Sequence, residues 1–215
     1  MYKSIITALY ILGMSGCGSS GSTQTTTDVV GYNGFLVDNA VQNVAWSCGE
    51  GSQKVSGVTD KNGKFGTCPI NSKVTFNIGN LILGTTKPTK DYIFSIPDVV
   101  GIDREETDNE VVLAISTLLL SMDKDGDSSN GLFITEEAIK ALNQNITIEK
   151  EFTVLKKDET TQLIKNAVEN NPNVDKAPTI EEVKTHLTET NGDIIDGTQE
   201  AGEEVKSSLE DKSTN

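Results

Sequence analysis

The hydrophobic period of this chain changes at Lys87-Pro88, and that change decides the class of fold open to it. Between Gly31 and Thr86 the large apolar residues recur at every second position, and beyond Pro88 they recur every third or fourth. A period of two places side chains on one face of a strand, and a period near 3.6 places them on one face of a helix. The expectation is an α+β fold: a small antiparallel β-sandwich over residues 31–87, a mainly helical module over 88–192, and a disordered acidic tail over 193–215. In the first part Phe35 and Val37 alternate, as do Val44, Trp46 and Cys48, and then Val74, Phe76 and Ile78. Asp60-Lys61-Asn62-Gly63 reads as a tight hairpin, with Asn62-Gly63 supplying positive φ angles. Gly79-Asn80 breaks the next run before Leu81 to Leu83.

In the second part Thr107 and Glu110 have capping-box spacing, so a helix is predicted to start there. Val111, Ile115, Leu118 and Met122 form its stripe, widened by Val112 and Leu119, and it stops at Asp123. Ala138 to Leu142 suggests a short helix, and Ile146 to Leu155 a strand or irregular edge. Leu163, Ile164, Ala167 and Val168 mark another helix, ended by Asn170-Asn171-Pro172. Thr179 and Glu182 give a second capping box, before a helix lined by Ile180, Val183 and Leu187 that Asn191-Gly192 should end. From Asp196 to Asn215 there are six acidic and two basic groups. That composition predicts a solvated tail.

Apolar residues make up 35% of the chain, aromatics 5%, and the formal charge is -14. So lean an apolar content implies that part of the length is linker and tail. The negative surface excludes nonspecific nucleic-acid binding, which rests on clustered Lys and Arg, and it favours divalent cations. Three cysteines are present. Cys48 and Cys68 are expected to form a disulfide if the chain is exported, and two free thiols are the alternative.

Export is what the N-terminus suggests. Residues 1–16 carry one cation, Lys3, then an apolar run from Ile5 to Met14 and then small residues, the layout of a secretory signal. The run is about ten residues, against about 20 needed to span a membrane. Its ending, Met14-Ser15-Gly16-Cys17, resembles the lipobox of bacterial lipoproteins. That resemblance implies cleavage before Cys17 and lipidation of Cys17, which anchors the chain to a membrane. Gly18 and Ser19 lack the aspartate that marks inner-membrane retention in many Gram-negative lipoproteins, so the implied location is the outer membrane, on a face left open. Residues 17–30 read as a flexible tether. Gly16, Gly18 and Gly21 spell GxGxxG there, but no strand precedes them and no helix follows, as a dinucleotide site requires.

Gly34-Phe35-Leu36-Val37-Asp38-Asn39-Ala40-Val41 followed by Gly57-Val58-Thr59-Asp60-Lys61-Asn62-Gly63-Lys64-Phe65 resembles the carboxypeptidase regulatory-like, or transthyretin-like, β-sandwich. In that family a strand of the form G-x-V-x-D leads to a T-D-x-x-G-x-F hairpin. The resemblance covers roughly a quarter of the chain and implies a structural or accessory role with no active site to carry across. The stretch from Val74 through Gly84 departs from the family pattern and is more similar to a set of uncharacterised bacterial envelope lipoproteins.

The strongest site candidate is Asp123 to Gly131, DKDGDSSNG. Asp123, Asp125 and Asp127 alternate as do the first, third and fifth ligands of an EF-hand-like or dockerin-like calcium loop. The standard hand is excluded, since Ser128 replaces the sixth-position glycine and Ile134 the twelfth-position glutamate. An irregular loop would add Asn130 or Glu137, with affinity in the weak class of about 0.1–1 mM. The competing reading is an ordinary polar turn. The lone His186 lies beside an apolar stripe, which points to a packed histidine rather than a zinc ligand. Glu105-Glu106, Glu136-Glu137 and Glu181-Glu182 are placed where the helix dipole favours acids.

The functional expectation is a noncatalytic, lipid-anchored envelope protein in a binding, adhesion or scaffold role, with calcium as the candidate cofactor. Its partners would be the membrane, through the lipid, and an envelope protein or external ligand. Two alternatives remain: a periplasmic ligand-binding or enzyme-accessory lipoprotein with an apolar pocket, and a carboxylate-dependent hydrolase with two acids at fixed separation.

Overall fold

A computed structural model of the chain describes residues 31–196. The predicted leader, the lipobox with Cys17, the tether up to residue 30 and residues 197–215 of the acidic tail lie outside the described residues. The strands are β1 (Gly31–Val37), β2 (Val41–Gln42), β3 (Ala45–Cys48), β4 (Val55–Val58), β5 (Lys64–Pro69), β6 (Val74–Ile78), β7 (Leu81–Thr86), β8 (Ile93–Ser95), β9 (Leu132–Phe133) and β10 (Lys150–Glu151). The helices are α1 (Ile96–Val100), α2 (Glu110–Met122), α3 (Glu136–Asn145), α4 (Lys157–Glu169) and α5 (Ile180–Asp196). The fold is α+β, as the change of period predicts.

Strands of the first half pair antiparallel: β1 with β5, β3 with β4 and β6, and β6 with β7. The second half then contributes three strands in parallel, β8 on β1, β9 on β2 and β10 on β7. The sheets are therefore β5-β1-β8, β10-β7-β6-β3-β4 and β2-β9. They are mixed where the alternation predicts a purely antiparallel sandwich. Connectivity explains the difference, because parallel neighbours need a crossover of about a dozen residues or more and each returning strand follows a long excursion.

Val44, Trp46 and Cys48 on β3 and Val74, Phe76 and Ile78 on β6 are all buried, as their alternation requires. Opposite them stand Phe65 of β5 and Phe94 of β8. The Phe65 ring centroid is 5.4 Å from those of both Phe76 and Phe94 and 5.6 Å from that of Trp46. Each such pair adds about 0.5–1.5 kcal/mol beyond area burial. Few aromatics are available, and the two sheets share them. Cys48 of β3 is bonded to Cys68 of β5, with Cα atoms 5.7 Å apart, so the disulfide also joins the two sheets.

The Asp60 to Gly63 turn differs from the predicted hairpin. The Asp60 carboxylate accepts the backbone N–H groups of Asn62 at 2.8 Å and Lys64 at 2.9 Å, and Gly63 (φ 72°) takes the left-handed conformation while Asn62 does not. The strands on either side also go to different sheets, β4 to the larger and β5 to the smaller. The turn is a corner between sheets.

The helices cover what the sheets leave open. α2 starts two residues later than the predicted capping box: Asn109, not Thr107, is its cap, accepting from Val111 N at 2.9 Å and Val112 N at 3.4 Å. Its buried Val112, Ile115, Leu118, Leu119 and Met122 join the sheet side chains in one core that runs from Tyr32 to Leu187. The stretches on either side of Lys87-Pro88 share that core. The segment before α2 is pinned by Arg104, which donates to both oxygens of Asp91 at 2.6 and 2.9 Å, to Asp98 at 2.8 Å and to the Ile93 carbonyl at 2.6 Å. Of residues 146–155 only Lys150–Glu151 is strand.

The α5 start follows prediction, with Thr179 N–H donating to Glu182 at 2.6 Å and Glu182 N–H to the Thr179 hydroxyl at 3.3 Å. Val183 and Leu187 are buried, but Ile180 is exposed. The helix also continues past Asn191-Gly192 to Asp196. Ile194 explains the extension, since it packs with Phe35, Val37 and Ile93 on the outer side of the β1-β8 pair. Among the described residues no helix is long and apolar enough to cross a membrane.

Candidate functional site

The loop from Asp123 to Gly131 leaves the end of α2 and enters β9. Its mouth is closed by a backbone bridge between Asp123 and Ile134 and by Lys124 N–H donating to the Phe133 carbonyl at 3.0 Å. Ala40 accepts the Leu132 N–H at 2.8 Å on one flank. On the other, the Asn171 amide donates to the Ser121 and Asp123 carbonyls, and the Asn173 amide to the Lys124 carbonyl at 2.7 Å. Asn39 donates to the Ser128 carbonyl. The polar-turn composition therefore forms a loop gripped from two sides.

Its carboxylates have different fates. Asp123 is buried at 1% exposure; Oδ1 accepts Phe133 N–H at 2.8 Å, and Oδ2 has no hydrogen-bond partner. Burial pushes its carboxyl up to about 6, the Phe133 N–H opposes the rise, and Asp125 reinforces it, first by accepting a hydrogen bond from the protonated form and then by its charge. Asp125 is exposed, accepting from the Asn130 amide at 3.1 Å and from Asp127 N–H at 3.1 Å, and these bonds hold its carboxyl below the ordinary range. Asp127 instead turns to Ser129, accepting its N–H at 3.1 Å and its hydroxyl at 2.6 Å. Glu137 lies exposed in the first turn of α3. Of the five predicted metal ligands the structure thus brings together Asp123, Asp125 and Asn130. Among the described residues no three His, Cys, Asp or Glu side chains converge as a metal centre.

Behind the loop lies a cavity of about 250 Å³. Leu120, Asp123, Ser128, Lys176, Glu182 and His186 contribute to its wall. His186 is buried, with Nε2 3.1 Å from Asp38 Oδ1 and 3.2 Å from the Asp38 carbonyl. The hydrogen bond of good geometry goes to the carbonyl, while the carboxylate of the fully buried Asp38 faces the imidazole at ion-pair distance. Burial alone would lower the imidazole pKa, but the Asp38 carboxylate outweighs it and holds His186 above its ordinary value. Asn39 accepts from the Thr190 hydroxyl at 3.3 Å, a second tie between the β1 end and α5.

Sequence reasoning places His186 as a packed histidine and misses Asp38 as its partner. The available signal is an aspartate directly after the apolar run Phe35-Leu36-Val37, where the chain has just been buried. Asn171 reads only as part of a helix stop, and Asn173 carries no signal of its own. Glu136-Glu137 and Glu181-Glu182 do occupy first helical turns, whereas Glu105-Glu106 lies in the segment before α2. No family model matches the chain, and no curated protein or solved structure matches it.

Proposed function

We propose that this chain is a lipid-anchored, noncatalytic component of the bacterial cell envelope, which presents a disulfide-tied α+β domain to another envelope component or an external ligand in an adhesion or scaffold role. Calcium, bound at the loop after α2, stabilises the presented surface. The observation that carries the reading is the buried Cys48–Cys68 bond between the sheets, a bond type that persists in oxidising compartments. It agrees with a leader over residues 1–16 cleaved before Cys17 and with the resemblance to lipoproteins, which implies the outer membrane. In this reading each buried acyl methylene contributes about 0.8 kcal/mol of anchoring. Presentation needs a surface of fixed shape, and the shared core across both halves supplies one. Detergent phase partition of the full chain tests the anchor. Wild type is expected in the detergent phase and Cys17→Ala in the aqueous phase; wild type in the aqueous phase would overturn it.

A second reading, periplasmic ligand binding, is favoured by the cavity between the Asp loop and α5. Its wall mixes Leu120 with charged Lys176, Glu182 and His186, unlike the apolar pocket that reading predicts. A small polar ligand that raises the thermal midpoint of wild type but not of a Leu120→Trp variant would establish it.

A further inference from the structure

Two carboxylates meet in the loop after α2, and the bond between them exists only while Asp123 keeps its proton. Once Asp123 is ionised, its enclosed Oδ2 has no donor, and the Asp125 carboxylate beside it repels the charge. A buried charge is ordinarily paired or coordinates a metal. A hard divalent cation supplies the missing partner, since it accepts several oxygens at about 2.3–2.6 Å and completes its shell with water. Asn130 already rests against Asp125, and turning its amide end over presents an oxygen in place of the NH2. Asp125 and Asn130 are exposed, so solvent reaches the open side of such a shell and supplies its water ligands. Asp127 is committed to the Ser129 N–H and hydroxyl, and Glu137 stands out on α3. An irregular, partly hydrated shell suits calcium better than magnesium, which demands near-ideal octahedral geometry.

We propose that a calcium ion sits between Asp123 Oδ2 and Asp125, with Asn130 as the third protein ligand, and that Asp127 and Glu137 do not hold it. The proposal rests on the calcium part of the function proposed above and names the atoms responsible. Because Asn171 and Asn173 grip the carbonyls of Asp123 and Lys124, the ion also fixes the turn that precedes α5.

Calcium chloride is titrated calorimetrically into the full chain held in detergent micelles, with thermal midpoints recorded with and without 10 mM calcium (about ten times the weakest expected Kd). Wild type is expected to bind one ion with a Kd of about 0.1–1 mM and to gain about 3–10 °C. Asp123→Asn and Asn130→Ala each weaken binding at least about tenfold, whereas Asp127→Asn and Glu137→Gln stay within about threefold. Asp123→Asn keeps the acceptor for Phe133 N–H, and a calcium-free midpoint at or above wild type shows that it is folded. Absence of binding to wild type overturns the calcium reading and this site with it. Binding to wild type that survives in Asp123→Asn or Asn130→Ala, or that is lost in Asp127→Asn or Glu137→Gln, leaves calcium in place and overturns the ligand set.

Discussion

His186 Nε2 lies 3.1 Å from Asp38 Oδ1, which joins α5 to the end of β1 across 148 residues of sequence. The contact makes the docking of α5 depend on a proton. The raised His186 pKa means that the folded state holds this proton more tightly than the unfolded chain does. Its contribution is complete below the unfolded value of about 6.5 and is lost as pH rises through the higher folded value. Urea midpoints of wild type and His186→Gln should therefore differ most near pH 6, wild type being the more stable, and converge in the alkaline range. A gap that stays constant with pH would remove the pair from the account.

Asp123 has the opposite character. Its carboxyl is pushed up to about 6, chiefly by burial, so its ionisation opposes folding. The penalty is absent below about pH 4 and complete above about pH 6. In calcium-free buffer Asp123→Asn should stabilise the chain by about 1–3 kcal/mol at neutral pH and leave it unchanged near pH 4. Chemical denaturation at the two pH values checks this. Equal effects at both would show that Asp123 does not carry a buried charge.

The disulfide closes a sequence separation of 20 residues, for which chain entropy gives about 3 kcal/mol. Cys48→Ala with Cys68→Ala should lower the unfolding free energy by about that amount. The bond leaves no thiol at either position, so alkylation of the chain unfolded without reductant should add no mass at Cys48 or Cys68. Mass gained at those two residues would show free thiols.

A methyl group at Gly84 would lie 2.2 Å from the Val99 carbonyl, since α1 crosses β7 closely there. Gly84→Ala should cost about 1–3 kcal/mol by overpacking. An unchanged thermal midpoint would mean that α1 moves freely on the sheet.

Asn109→Ala should cost about 1 kcal/mol by removing the α2 cap, and Thr107→Ala close to nothing. The reverse order would place the helix start at the Thr107 capping box.

That last pair shows where sequence reading stops. Thr107 and Asn109 are both competent caps, and the choice is made by how the preceding segment enters, which Arg104 sets through Asp91, Asp98 and the Ile93 carbonyl. The long strands were legible because Val44-Trp46-Cys48 and Val74-Phe76-Ile78 each show several alternations. β8, β9 and β10 are two or three residues long, too short for any period to register, and they supply every parallel pairing. The Asp loop was visible by composition alone. That Asp123 is enclosed while Asp127 turns away depends on partners at Phe133 and Ser129 and on the clasp from Asn171, none of which spacing reveals. The same holds for Asp38, whose partner lies on the last helix.

The parallel returns of β8, β9 and β10 also set an order of assembly. Until the segment from β8 onward is in place, β1, β2 and β7 each keep an open edge. Such edges invite pairing with other chains. The Cys48–Cys68 bond needs only the first 68 residues and can form during that wait. It holds the two incomplete sheets face to face, their aromatic side chains hidden, until the rest of the polypeptide arrives to seal them.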